Sequence, residues 1–275
     1  MRDHLYDHVD FRLAEIEHRY GQNVHITANP FLLSQLATLC AKETVQPAIN
    51  QLVVSIYSDL VKTVINAEFP RKQASVPTRM IATNPRGIFH GQVIDPQVRA
   101  VTVNIARAGT LPSQVTYDVL NLILDARLVR QDHIIMSRMI DDAQHVVGSS
   151  IGGAKIGGDV DDAFVLFPDP MGATGGSLST AISAYKEKVA GKARRYICLH
   201  LIVTPEYLKR MHDEHPDAAV YAVRLDRGLS PPELFDTIPG EQWERERGLD
   251  DKQYIVPGGS AQQRLRLAPA GAAEW

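Results

Sequence analysis

Apolar positions along the chain follow two regimes. Over residues 8–20, Val9, Leu13, Ile16 and Tyr20 recur at helical intervals with charges between them, which predicts an amphipathic helix. Residues 46–67 repeat the pattern more strongly, with Ile49, Leu52, Val53, Ile56, Leu60, Val61 and Val64 on one face. Pro70, Pro77 and Pro85 then break the chain. From "RAVTVNIARAG" onward the period changes. Short β-branched runs at 100–105, 132–137, 163–167, 196–203 and 218–225 alternate with helical stretches such as 111–124, 177–190 and 205–213. That alternation predicts crossover units, and so an α/β fold with a twisted, mainly parallel sheet of about five strands flanked by helices. Two glycine-rich patches interrupt it: "VVGSSIGGAKIGGDV" at 146–160 and "VPGGSAQQ" at 256–263. The first lies between strand candidates and reads as a flexible arm rather than a helix.

Composition narrows the class. A chain of 275 residues with 44% apolar and 22% charged positions can bury a full core. A formal net charge of −3 argues against general nucleic-acid affinity, which needs a basic excess or stripe. Two cysteines, Cys40 and Cys198, are too few for a disulfide framework, and Cys198 in "RRYICLHLIV" reads as a buried strand residue. No apolar run is read as a membrane span, and the charged N-terminus lacks a signal peptide's apolar region. A cytoplasmic protein with small-molecule partners is the expectation, without nucleic acid or membrane. The histidines, among them His4, His8, His18 and His25, show no metal-ligand spacing and read as solvated or partner-forming surface groups.

The candidate chemistry lies in "FVLFPDPMGATGGSLSTAI", residues 164–182, where an apolar run ends in Asp169 and a run of small residues and hydroxyls precedes a predicted helix. No Lys follows the glycines, so this is not the nucleoside-triphosphate loop, and the spacing is not that of dinucleotide folds. A carboxylate at the carboxyl edge of a parallel sheet sits where such sheets bind ligands. The loop behind it can aim backbone N–H groups and the hydroxyls of Thr174 and Ser177 at a phosphate, and the next helix adds its positive N-terminal end. Carboxylate and phosphate nest together suit a sugar phosphate; the competing reading is a plain turn capping a helix.

Here the chain resembles the uracil phosphoribosyltransferases. "DPMGATGGS" (169–177) is similar to their ribose-phosphate loop, with Gly172 replacing an aliphatic residue. "VTVNIARAG" (101–109) looks like the strand and turn carrying a pyrophosphate-binding Arg, here Arg107, and "MSRMIDD" (136–142) sits where the family has a second, here Arg138. "YIVPGG" (254–259) resembles the start of their base-binding loop. The resemblance implies a type I phosphoribosyltransferase fold with a flexible arm or hood, in four parts: an N-terminal region 1–97, a core 98–229, an insertion 230–253, and a base loop and tail 254–275. It implies transfer of ribose 5-phosphate from phosphoribosyl pyrophosphate to uracil or a related base in pyrimidine salvage. Asp169 and Arg107 would be catalytic. Arg107, Arg138, Asp169, Pro170, Met171, Gly172, Ala173, Thr174, Gly175, Gly176 and Ser177 would bind phosphoribosyl pyrophosphate, and Ile255, Gly259, Ser260 and Ala261 the base. Mg²⁺ would be carried by the pyrophosphate rather than bound directly, and a homodimer or higher homo-oligomer is implied.

The chain also departs from the family. After "YIVPG" the family continues close to LGDAGDR, whereas this chain reads "GSAQQRL", one residue shorter, with Ser260 where the first Asp would be and Gln263 for the second. A hydroxyl does not replace a carboxylate's charge near Mg²⁺. The insertion "SPPELFDTIPGEQWERERGLDDKQ" carries Trp243 and dense charge, and would lie close to the base pocket or form a surface excursion. The departures leave two alternatives open: a weak or silent relative that senses phosphoribosyl pyrophosphate or a nucleotide, and a subunit that docks a partner.

Overall fold

A computed structural model of the chain describes residues 3–140 and 146–259, and the side chains of 137–149 are not part of that description. The five predicted strands form where the apolar runs place them: β4 (Ala100–Ala106), β5 (Val129–Ile140), β7 (Phe164–Pro168), β9 (Arg195–Val203) and β10 (Ala219–Leu225). β7 is buried at every position. Continuous burial rather than alternation is the mark of a strand covered on both faces. Phe164 and Leu166 face one core cluster, Val165 and Phe167 the other. Helices α3 (Thr110–Asn121), α4 (Gly176–Lys188) and α5 (Pro205–Glu214) fall between the strands as their periodicity predicts.

The sheet is larger than predicted. Short strands β1 (Val24–Ile26) and β8 (Met171–Gly172) join it, with β6 (Val146–Lys155) as the outer strand. The order is β1-β10-β9-β7-β4-β5-β6, with β8 beside β9. Every pairing is parallel except β5 with β6. The glycine patch at 146–160, expected as an arm rather than a helix, is mostly a paired edge strand, one side of a β-hairpin. Its residues His133↔Lys155 to Ile140↔Val146 form a ladder with bulges. Small residues at 148–150, 152 and 153 do not prevent this, because the ladder bonds are main-chain.

Helix α1 (Pro30–Cys40) and α2 (Ala48–Glu68) pack with α3 on one face, and α4 and α5 on the other. α2 confirms the strongest sequence pattern: Ile49, Val53, Ile56, Leu60, Val61 and Val64 are all buried. By length and composition α2 could cross a membrane, which corrects the reading that no such segment exists. In this fold its apolar stripe lies against strands and α1, and each buried aliphatic side chain there contributes about 1.5–3 kcal/mol.

One expectation before residue 98 fails, and one stretch holds more structure than its prolines suggest. Residues 8–20 are not a helix; they run extended beside β1, with Ile16 N donating to Ile26 O and Ala28 N to Ala14 O. Val9 and Ile16 stay exposed. The edge of β1 wins because it offers main-chain partners that a lone helix on the surface would lack. The proline-broken stretch contains an antiparallel hairpin of β2 (Arg71–Pro77) and β3 (Ile88–Ile94). Pro77 closes its last pair, a place where a missing N–H costs least.

Candidate functional site: a strand-end carboxylate and its loop

β7 ends at Pro168, so Asp169 stands at the carboxyl end of a central parallel strand. The chain then continues parallel to β9, with Met171 opposite Ile202 and Gly172 opposite Val203. Asp169 N donates to Leu199 O (3.0 Å), Leu201 N and Ile202 N donate to Pro170 O, and Thr204 N donates to Gly172 O. Met171 N donates to the Asp169 carboxylate at 3.1 Å, an Asx turn that aims the side chain. Burial pushes the Asp169 carboxyl up to about 6, with the Met171 N–H opposing it. A carboxyl poised there accepts hydroxyl hydrogens once ionised.

Gly175, at φ 77°, turns the chain into α4 through the left-handed region that favours glycine. Ser177 lies in the first turn of α4, where the helix presents unpaired N–H groups. Thr174 Oγ1 accepts weakly from Gly176 N at 3.5 Å, and Ala173 O accepts from Thr204 Oγ1 at 2.7 Å. Residues 173–177 are all partly exposed, so the nest is open to a ligand.

The turn after β4 meets this loop. A Cβ on Gly109 would lie 3.0 Å from Pro168 O, so the absence of a side chain lets the Arg107 turn close on the strand end that carries Asp169. Arg107 itself is exposed. Arg138 lies beyond Ile135, the β5 partner of Ala106, and therefore past the same carboxyl edge; its side chain falls outside the description.

The base-loop candidates are split. Ile255 packs, like Met171, against the core cluster that α1, α2 and α3 cover. Gly259 approaches Cys40 so closely that a Cβ would lie 2.3 Å from its Sγ. Ser260 and Ala261 lie outside the described residues. What holds 254–259 was not read from the sequence. Asp226, buried at the end of β10, accepts from Gly258 N (2.7 Å), and Arg224 donates to Gly258 O (3.0 Å) while gripping Asp226 in a bidentate pair. The spacing Arg-x-Asp at a strand end was the available signal.

The insertion is clasped at its base, where Leu229 N donates to Arg247 O and Arg247 N to Ser230 Oγ. Its buried Glu246 accepts from Tyr20 Oη, Arg227 and Gly240 N. Trp243 Nε1 donates to Pro205 O at the start of α5. Between this insertion and the phosphate nest lies a cavity of about 760 Å³ touching Thr174, Glu206, Arg210 and Arg247. None of the last three was anticipated. The named histidines behave as expected where contacts exist: His4 pairs with Asp7, His8 with Asp10 and His25 with Glu15.

Comparison with known proteins points the same way. A family model described as uracil phosphoribosyltransferase matches residues 26–240. The chain is 29% identical over 243 residues to the uracil phosphoribosyltransferase of Dictyoglomus thermophilum, covering 88% of this chain and 98% of that one. It is 28% identical to that of Rhodococcus jostii, covering 88% and 97%. Among solved structures, the AQ2163 protein from Aquifex aeolicus superimposes with a TM-score of 0.67 at 19% identity, covering 90% of this chain and 99% of that chain. That likeness concerns the fold.

Proposed function

The chain belongs to the uracil phosphoribosyltransferase family and is a phosphoribosyltransferase, and from that premise we propose that its acceptor is uracil or a closely related base. The products are a nucleoside monophosphate and pyrophosphate. The observation that carries the reading is the join of Asp169, its open nest and the Arg107 turn at one sheet edge.

In this reading the C1′–O bond to pyrophosphate breaks, a ring nitrogen of the base bonds to C1′, and that nitrogen's proton is lost. Charge develops on both the ribose ring and the leaving group, so the protein's task is to hold the two ends of the donor and exclude water. Asp169 accepts from the ribose hydroxyls. The N–H groups and hydroxyls of 173–177, at the positive end of α4, cradle the 5′-phosphate. Arg107 and Arg138 offer planar, bidentate donors to the pyrophosphate. Ile255 and Gly259, with Ser260 and Ala261 beyond them, bound the base.

Mg²⁺ is part of the substrate here. Among the described residues no three His, Cys, Asp or Glu side chains gather to hold a resident ion. Arg107 and Arg138 would hold the pyrophosphate that carries the ion, and the ion would supply positive charge to the leaving group. The test is incubation with phosphoribosyl pyrophosphate, Mg²⁺ and a panel of bases, following pyrophosphate release. Release that requires uracil or another pyrimidine supports the proposal; release with a purine alone, or binding without release for every base, overturns it.

A further inference from the structure

The loop has glycine at 172 where the family has an aliphatic side chain, and the structure shows what fills that space. A Cβ on Gly172 would lie 3.0 Å from Cδ1 and Cγ of Tyr207 and 2.9 Å from Val203 Cγ1. The other edge of the same ring lies 3.1 Å from the place of a Cβ on Gly175. Tyr207 is wholly buried in the first turn of α5. Its main chain is tied to the loop as well: Tyr207 N donates to Thr204 Oγ1 (3.1 Å), which donates to Ala173 O.

The hydroxyl completes a relay. His200 Nδ1 lies 2.6 Å from Asp169 O, and His200 Nε2 lies 2.6 Å from Tyr207 Oη. A carbonyl has no hydrogen to give, so Nδ1 carries the proton and donates to Asp169 O. Nε2 is then the acceptor, and the tyrosine hydroxyl donates to it. Every donor in this buried chain points toward Asp169, and aligned hydrogen bonds polarise one another.

We propose that Tyr207 is a positioning residue: it substitutes for the side chain missing at 172 as the floor of the ribose-phosphate loop and, through His200, fixes the backbone from which the Asp169 carboxylate projects. The proposal rests on reading 169–177 as that loop. A tyrosine that merely filled the core would have no reason to face two loop glycines and to end its hydrogen-bond chain on the carbonyl of the strand-end aspartate. Tyr185 supplies the contrast. It is equally buried and its hydroxyl donates to Asp132 at 2.9 Å, with no tie to the loop.

The experiment compares Tyr207→Phe with Tyr185→Phe, each losing one buried hydroxyl and keeping its ring. Tyr207→Phe is expected to lower kcat roughly tenfold with little change in KM for the base, because sub-ångström drift of the reacting centre costs rate. Tyr185→Phe, with a similar fall in Tm, is expected to leave kcat within about twofold. Gly172→Leu is expected to inactivate, and adding Tyr207→Ala to restore part of the rate by vacating the floor. Equal kcat in the two Phe variants, or a double variant no better than Gly172→Leu, overturns the proposal. Amide hydrogen exchange separates this from the wider reading. Exchange at 169–175 should speed up about tenfold in Tyr207→Phe and not in Tyr185→Phe even if the wild type turns over no base, a result that would sink the catalytic reading alone. Unchanged exchange in both overturns the positioning role.

Discussion

The two segments that frame the candidate site are held in place by different means. Residues 169–172 are fastened main chain to main chain, through Leu199 O, Leu201 N, Ile202 N and Thr204 N and the two-residue ladder of β8 with β9. Residues 254–259 share three main-chain bonds, with Gly228, Gly248 and Asp250, and their last two residues otherwise hang on side chains: the carboxylate of Asp226 and the guanidinium of Arg224, with the carboxylate of Asp250 holding Tyr254 N. A ladder survives most changes of side chain, whereas a carboxylate grip is lost with one residue. The donor end of the site is therefore built to stay constant, and the base end is built so that a few substitutions move it. Of the departures read in the sequence, the altered base loop and the insertion leading into it fall at the base end, while Gly172 falls in the donor loop, where main-chain bonds hold the backbone whatever the side chain.

The largest test of the contrast is Asp226→Ala. It removes the acceptor of Gly258 N–H and strands Arg224, which is mostly buried beside Cys40. Breaking such a pair from one side costs about 3–5 kcal/mol, which urea unfolding measures. The milder Asp226→Asn keeps the shape, and base-dependent turnover should fall in it while affinity for phosphoribosyl pyrophosphate stays within a few-fold. If donor affinity drops as far as turnover, the two segments are not separately held.

Next in size is Thr174→Val. Its hydroxyl faces the nest rather than the core, so stability should move by no more than about 0.5 kcal/mol. Donor affinity should fall by about 1–3 kcal/mol in calorimetry, because a charged phosphate oxygen loses a donor. Loss of stability without loss of affinity would make Thr174 part of the scaffold and reverse the contrast.

The same division governs what could be read from the sequence. β4, β7, β9 and β10 announce themselves as apolar runs because both faces are covered, and Asp169 stands out as the first polar residue after such a run. α1 is equally legible: Asn29 caps Phe31 N and Leu32 N just before Pro30, the usual signature of a helix start. The segment 8–20 misled because its helical spacing is genuine, while the choice of an extended path is made by β1, which lies later in the chain. Tyr207 and His200 carry no local signal, and Asp226 only the Arg-x-Asp spacing at a strand end. Each is an ordinary residue of a helix or strand until the fold sets it under a loop, so only the three-dimensional structure reveals its part.

The smallest effect concerns protons, and it distinguishes the two segments by their charge partners. Asp226 meets Arg224 in a bidentate pair, but the carboxyl of Asp169 is shifted by burial and one backbone N–H, with no cation among the described side chains acting on it. Its pKa of about 6 lies above the ordinary aspartate value. For stability the sign follows directly: the folded state holds this proton more tightly than the unfolded chain, so the contribution is full below about pH 4 and is lost as pH rises through 6. For function the sign is opposite, since only the carboxylate accepts two ribose hydroxyls. At pH 5 about one molecule in ten is ionised, so apparent affinity for phosphoribosyl pyrophosphate should be roughly tenfold weaker than at pH 7.5, about 1.4 kcal/mol. Asp169→Asn should flatten that pH dependence while lowering affinity throughout. A wild-type affinity that is level from pH 5 to 7.5 would mean that Asp169 binds the sugar without titrating, and the asymmetry between the two carboxylates would have no functional consequence.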